Sequence, residues 1–295
     1  MSNCTHAPIR EYLSATGLFD SVESEAIFTI PADQLHARYD RVVRDFDVIF
    51  ATVLYGDKWG PWEHKTMRAA LGDKVQMFDA PFFQGLHPDL VHISHKGDRF
   101  LSPIGDYHSG LIYWGWRRQI PIEQLSEMYH DGDLPDLFDA ARAWETSLQT
   151  FHQREQLADI RVAPQLDQIC RAQPAMLTFN HPTMPIMAAQ CDALCRKLFG
   201  DRTTTPIDPT NIHNVLLSDV IIPVSPAAIR ANDLPYRTSA AFKFGLASPH
   251  KNKGYLSFER FARLSYARYG CVEPKDLSVT TPAPLAKALT EEVAA

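Results

Sequence analysis

Residues 47–55 read DVIFATVLY. From Val48 to Tyr55 the run is apolar apart from Thr52, and it has no helical period. A short continuous apolar run rich in β-branched and aromatic residues predicts a strand covered on both faces, the kind found in parallel sheets clothed by helices. The flanking segments agree. Upstream, AIFTI (26–30) reads as a short strand and ADQLHARYDRVVRDF (32–46) as a helix. Downstream, PWEHKTMRAAL (61–71) reads as a short helix closed by Gly72, and KVQMF (74–78) and LVHIS (90–94) as further strands. Strand and helix alternation predicts a parallel α/β sheet. Ligands of such sheets bind at the carboxyl ends of the strands, where the loop YGDKWGPW (55–62) falls.

From residue 108 the pattern turns helical, in HSGLIYWGWRRQI (108–120), PIEQLSEMYHDG (121–132) and LPDLFDAARAWETSLQTFHQREQL (134–157). AMLTF (175–179) returns as a strand and leads through Asn180-His181-Pro182-Thr183 into a second strong helix. The apolar face of that helix is Met184, Met187, Ala188, Cys191, Leu194, Cys195 and Leu198, so Cys191 and Cys195 read as core. After residue 200 the signals weaken, and NVLLSDVIIPV (214–224) reads as a strand pair or a buried segment. From Pro274 the chain is rich in Pro, Thr and Ala and is expected to be loose, with at most a final helical turn. The expected organisation is an α/β subdomain over 1–107 and a mainly helical part over 108–273, with its return strand near 175–179. The two pack as one globular unit, followed by a loose tail over 274–295.

The chain has 295 residues, enough for one large domain or two modest ones, and a formal net charge of −6. An acidic balance argues against nucleic acid or an anionic membrane as the main partner. No apolar run is long enough to span a bilayer, and the first residues carry no signal-peptide core. The five cysteines are odd in number and form no CxxC pair, which predicts neither a disulfide framework nor a cysteine zinc site. Cytoplasmic location with reduced thiols is the expectation.

The chain opens MSNCTHAPIREYL. Ile9, Tyr12, Leu13 and Thr16 form one helical stripe, Gly17 closes it, and Pro8 fits only its first turn. Cys4 therefore lies at the N-terminal end of a helix, where backbone N–H groups favour a thiolate. It is a candidate nucleophile or anion-site residue, with a disordered terminus as the alternative. Three further motifs join strand-like to helix-like runs: FFQGLHPDLVHISH with Gln84, His87 and Asp89; SPIGDYHSG with Asp106, Tyr107, His108 and Ser109; and FNHPT with Asn180, His181 and Thr183. A histidine beside a carboxylate is the minimum for general-base catalysis, and a cysteine beside such a histidine can carry an acyl group. Gly105 and Gly110 flank His108 in a turn able to present it to a cleft. Asn180 is either an ordinary helix cap or a donor to a phosphate or oxyanion. His36, His64, His130, His152 and His250 read as surface residues. A metal set drawn from His87, His92, His95, Asp106 and His108 lacks HExxH-like spacing, and His92 and His95 would face opposite sides of a strand, so no metal is expected.

In this order, the NC turn, GLHPDL, SPIGDYHSGLI and FNHPT resemble the WcbI family of capsular polysaccharide biosynthesis enzymes, proposed acetyltransferases that bind coenzyme A. The resemblance runs from residue 3 to about residue 200. It implies an α/β subdomain set against a helical part as a cradle around a ligand pocket, and transfer of an acetyl group from acetyl-CoA to a sugar hydroxyl in capsular or surface polysaccharide biosynthesis. It implies catalytic roles for Cys4, His108 and His181, with Asn3 and Asn180 as oxyanion or ligand donors. Gln84, His87, Asp106, Tyr107, Ser109 and Thr183 would line the site. Lys58, Trp59, Lys65, Arg117 and Arg118 would meet the CoA phosphates and adenine, with a solvated helix face as the alternative for the two arginines. Partners would be the thioester, the sugar acceptor and other enzymes of polysaccharide biosynthesis. The start departs from the family pattern of a short apolar strand followed by Gly-Asn-Cys-Gln. Met1-Ser2 stand in place of the strand and glycine, and Thr5 in place of the glutamine, so the expectation is a late start codon or a lost first strand. Two other functions fit the same residues: a carbohydrate esterase acting through water, and a non-catalytic module stacking sugars on Tyr113 to Trp116.

Overall fold

A computed structural model describes residues 1–200, 207–237, 241–245 and 253–294; His250 lies outside them. In chain order the elements begin α1 (His6–Ala15), α2 (Leu35–Asp45), β1 (Ile49–Thr52), α3 (His64–Leu71), β2 (Val75–Phe78), β3 (Leu90–His95), β4 (Asp98–Arg99) and β5 (Tyr107–Ser109). They continue with α4 (Gly110–Arg117), α5 (Ile122–Asp131), α6 (Ala140–Arg154), α7 (Ala163–Ala172), β6 (Met176–Thr178), β7 (His181–Pro182) and α8 (Met184–Phe199). The last are α9 (Pro226–Ala231), β8 (Phe242–Phe244), β9 (Gly254–Leu256), α10 (Phe258–Tyr269), β10 (Leu277–Thr281) and α11 (Ala283–Ala294). The chain divides into two compact units. One comprises Met1–Phe82, Leu148–Ile169 and Asn180–Val215, the other Phe83–Ser147, Cys170–Phe179 and Leu216–Ala295. This interleaved division differs from a boundary at residue 107.

The first unit is built on the run that decides the fold. β1 pairs in parallel with β2, from Ile49 opposite Val75 to Thr52 opposite Phe78. The ladder is extended on both sides. The Met1 ammonium donates to the Phe50 carbonyl at 2.8 Å and the Thr52 N–H to the Met1 carbonyl at 3.1 Å. Met1-Ser2 thus form a two-residue lane beside β1, in the place where a first strand was expected. Ser2 bridges in parallel to Ala26, and Ile160 to Phe78. Ile49, Ala51, Val53, Val75 and Met77 are buried with Trp62 and Met67 in one core. AIFTI is not a strand: only Ala26 reaches the sheet, and Ile27–Thr29 form a 3-10 turn that buries Ile27 and leaves Phe28 exposed. Cys191 and Cys195 are buried on α8, as their helical spacing predicted.

The second unit is antiparallel. β3 lies between β10, with Ser94 opposite Ser278, and β5, with Val91 opposite His108. The expected parallel sheet therefore ends at β2, and LVHIS enters a different sheet. The physical reason is the connection. A parallel return needs a crossover of roughly a dozen residues, usually a helix, and the residues between β2 and β3 form none. The segment 134–157 is not one helix: Asp139 breaks it, capping α6 by accepting the Arg142 N–H at 3.0 Å. The expected loose tail is also corrected. β10 pairs along β3, and α11 follows with Leu285 and Leu289 buried. Its composition concealed a β-branched strand (LSVTT) and a helix started after Pro282. Among the described residues no helix is long and apolar enough to cross a membrane.

If α11 is part of the core, Leu289→Ala will cost about 2–5 kcal/mol of unfolding free energy. Urea denaturation of the purified variant measures it. A change near zero would restore the loose tail.

Candidate functional site

The residues that open α1 are held by their own side chains. Asn3 Oδ1 accepts from the Thr5 N–H at 3.1 Å and the Thr5 hydroxyl at 2.9 Å. The Asn3 carbonyl accepts the His6 N–H at 3.2 Å. Asn3 thus shapes the turn that carries Cys4, rather than standing free to bind. Cys4 is half-buried and makes no disulfide.

α1 packs on α8, and two contacts set their direction. The Tyr12 hydroxyl donates to Asp192 Oδ1 at 2.9 Å, and the Phe19 and Phe199 rings meet edge to face at 5.2 Å. Both pairs are 180 residues apart (192 − 12 and 199 − 19). Tyr12 lies within α1 and Phe19 just past its end, while Asp192 lies within α8 and Phe199 ends it, so the two helices run the same way. Thr183 caps α8 in extended geometry, with no hydrogen bond from its side chain to the helix. His181 is buried just before it and Asn180 half-buried. Helices that run the same way over a parallel sheet both start at the edge where its strands end, and each N-terminus carries positive partial charge.

The same edge carries a polar group the sequence reading did not pick out. Asp79, directly after β2, is fully buried, and Arg154 donates to its Oδ1 at 2.7 Å. Among the described residues its Oδ2 has no hydrogen-bond partner. Burial pushes the carboxyl up to about 6 against the pull of Arg154. Gln190 donates to the Asp79 carbonyl at 2.9 Å. Tyr55, which follows β1, interacts with Arg154 and Asp79, and its ring lies 5.1 Å from that of His64. His64, expected on the surface, is buried. The available signal was position: Tyr55 and Asp79 are the first polar-headed residues beyond two buried strands. Lys58 is exposed, its ammonium 4.9 Å over the ring of Trp59, and Trp59 is half-buried against the core. Lys65 is exposed on α3.

The remaining expected site residues lie in the second unit and are bound into its framework. His108 is fully buried between Phe100 and Tyr269. Its Nδ1 meets the Tyr269 hydroxyl at 2.9 Å and its Nε2 the Phe100 carbonyl at 2.7 Å. Burial is the main cause that drives its pKa down to about 3. An imidazole with both nitrogens occupied and no solvent contact has no means to cycle a proton, so the general-base expectation for His108 is corrected to a core role. Gly110 serves packing, since a Cβ there would fall 2.8 Å from the Asp89 carbonyl. Ser109 caps α4 through the Ile112 N–H and donates to Asp89 Oδ2 at 2.5 Å. Gln84 donates to the Pro88 and Leu90 carbonyls, closing its own turn. His87 is buried with Nε2 on the Ile222 carbonyl at 3.2 Å. Tyr107 is buried against His92 and Phe179, and Asp106 pairs with Arg99 at 2.7 Å. Arg117 reaches the Tyr113 hydroxyl and Arg118 covers Trp114, so both arginines lie on the aromatics of their own helix. Tyr113 and Trp114 are themselves buried.

The first unit also contains a cavity of about 550 Å³. It runs along α1 from Met1, Ser2 and His6 past Ile9 and Leu13 to Phe19, with Val48, Leu194 and Phe199 also lining it. Ser2 and His6, on either side of Cys4 in the chain, are among its lining residues. Among the described residues no three His, Cys, Asp or Glu side chains are grouped to hold a metal ion.

Residues 1–199 match the family model described as polysaccharide biosynthesis enzyme WcbI. No curated protein matches. One solved structure superposes with a TM-score of 0.74 at 15% identity, covering 99% of this chain and 92% of its own. It is described as native WcbI, a novel polysaccharide biosynthesis enzyme, without a disulfide bond between coenzyme A and one of its cysteines.

The buried histidines make an acid-stability prediction. His108 titrates near 6.5 in the unfolded chain and, because burial disfavours its charged form, near 3 in the folded one. The unfolded state therefore binds the extra proton, and stability is lost as pH falls below about 6.5. Asp79, raised by burial, works in the opposite sense between its unfolded pKa of 3.8 and about 6, so a difference between proteins isolates the histidine. Between pH 7 and pH 5 the native protein should lose about 2 kcal/mol more than His108→Gln. Parallel slopes in denaturant titrations at the two pH values would show that the imidazole stays hydrated.

Proposed function

The chain belongs to the WcbI family of polysaccharide biosynthesis enzymes, and on that premise we propose that it transfers an acyl group, in the simplest case acetyl, from coenzyme A to a sugar hydroxyl. The observation that carries this reading is the common direction of α1 and α8. It supports a site in which the Cys4 turn and the Asn180–Thr183 turn share the carboxyl edge of the parallel sheet, where α/β proteins bind ligands. The solved WcbI structure is described as being without a disulfide bond between coenzyme A and one of its cysteines; Cys4 is this chain's counterpart in the proposal.

In the reaction the acceptor oxygen attacks the thioester carbonyl, the C–S bond breaks, and the acceptor proton ends on the departing thiol. Cys4 lies beside the sulfur end of the bound thioester. Asn180 and Thr183, with the first N–H groups of α8, face the carbonyl oxygen as it gains charge. His181 borders the same turn. Lys58, Lys65 and the face of Trp59 supply cations and a stacking surface for the nucleotide end. Water in place of the sugar would make the same groups a thioesterase, so product analysis belongs in the test.

Coenzyme A at about 100 Kd should stabilise the folded state by roughly 2.7 kcal/mol, read as a rise in melting temperature. Incubation with coenzyme A disulfide should add one coenzyme A mass to a peptide containing Cys4 and none in Cys4→Ser. No melting shift at millimolar coenzyme A, or labelling spread over the other cysteines, would count against the proposal.

A further inference from the structure

The proposed transfer needs a group to take the acceptor's proton, and the core position of His108 leaves that place open. His64 lies past the carboxyl end of β1, at the start of α3. Its N–H donates to the Leu54 carbonyl at 3.1 Å, which fixes the residue just beyond β1, the strand flanked by the Met1-Ser2 lane. Its ring Nδ1 faces two oxygens, the Leu54 carbonyl at 2.8 Å and Glu63 Oε1 at 2.7 Å. Both are acceptors, so Nδ1 carries the hydrogen and Nε2 presents its lone pair. Among the described residues Nε2 has no hydrogen-bond partner, yet it is not sealed from solvent, and the side chain is 10% exposed.

Glu63 is itself fixed. Its Oε2 caps α3, accepting the N–H groups of Lys65 at 2.8 Å and Thr66 at 3.0 Å, while Oε1 is turned to the imidazole. One carboxylate thus ties a helix N-terminus to a histidine ring. On the other side of the ring is Tyr55, which links to Arg154 and Asp79.

We propose that His64, oriented by Glu63, is the general base of the transfer. This rests on the acyl-transfer reading above. His64 Nε2 takes the proton from the sugar hydroxyl as its oxygen bonds to the thioester carbonyl. The C–S bond then breaks, its electron pair stays on sulfur, and the imidazolium returns the proton to the coenzyme A thiolate. No other reactant is consumed. Glu63 is a positioning residue that also stabilises the imidazolium.

The test has two readouts on the full chain. The first is turnover of acetyl-CoA with a panel of sugar acceptors. His64→Asn keeps a donor for the Leu54 carbonyl but cannot accept a proton at the Nε2 position. It should lower turnover by about 10²–10⁴-fold, with melting temperature and coenzyme A affinity within experimental spread of the native protein. The second is long-range ¹H–¹⁵N NMR of the ring. The native protein should show the Nδ1–H tautomer, and acetyl-CoA should shift the His64 signals. Glu63→Gln should lower turnover and leave coenzyme A affinity unchanged, because the carboxylate that stabilises the imidazolium is lost while the Leu54 carbonyl still holds the ring. If coenzyme A raises the melting temperature but the His64 signals do not move, or His64→Asn turns over normally, His64 is not the base and the acyl-transfer reading stands. If coenzyme A does not bind at all, the reading itself has failed and this inference falls with it.

Discussion

The same-direction packing of α1 on α8 is the constraint on which the rest of the first unit depends. Parallel sheets need helices that run against the strands, so both helices start where the strands end. Tyr12 with Asp192 and Phe19 with Phe199 lock the relative slide of the two helices. A slip of one turn would shift the Cys4 turn by about 5 Å against Thr183. Upstream, that turn is tethered to the sheet by the Met1-Ser2 lane between β1 and Ala26. The position of Cys4 is thus fixed from two sides, by backbone pairing and by helix register.

Much of this was legible in the sequence, and the failures have a common cause. β1 and β2 were read from short apolar runs and α8 from an apolar stripe, and there packing and pattern agree. AIFTI failed because one inward residue, Ile27, suffices to fill its space, and a 3-10 turn delivers it with fewer residues than a strand. LVHIS was read correctly as a strand and wrongly as parallel, since strand sequence carries little about its neighbours. The connecting segment carried more. In β10 and α11, composition overruled a pattern that tertiary pairing made decisive.

The site shows the same division. Motif spacing drew attention to His108, whose neighbours are polar and whose turn is glycine-flanked. Burial between Phe100 and Tyr269, with an acceptor and a hydroxyl on its two nitrogens, depends on residues up to 161 positions away and could not be read locally. His64 was passed over because its neighbours are charged. The deciding facts are the direction of one ring nitrogen and the distance to the Leu54 carbonyl. Polar residues one or two places past a buried strand, such as Tyr55 and Asp79, are better guides than histidine-rich runs.

The pairing of β3 with β10 has a consequence for synthesis on the ribosome. Ser94 and the Ser278 that hydrogen-bonds to it are 184 residues apart. At roughly 5–20 residues per second, β3 emerges about ten to forty seconds before its partner. Throughout that interval Leu90, Val91 and Ile93, all buried in the finished protein, belong to a strand with one open edge, the configuration most prone to pairing with another nascent chain. The first unit needs nothing beyond Val215, so its sheet can close while the second is still waiting. Expression of this chain should therefore depend on chaperones that shield a single exposed strand.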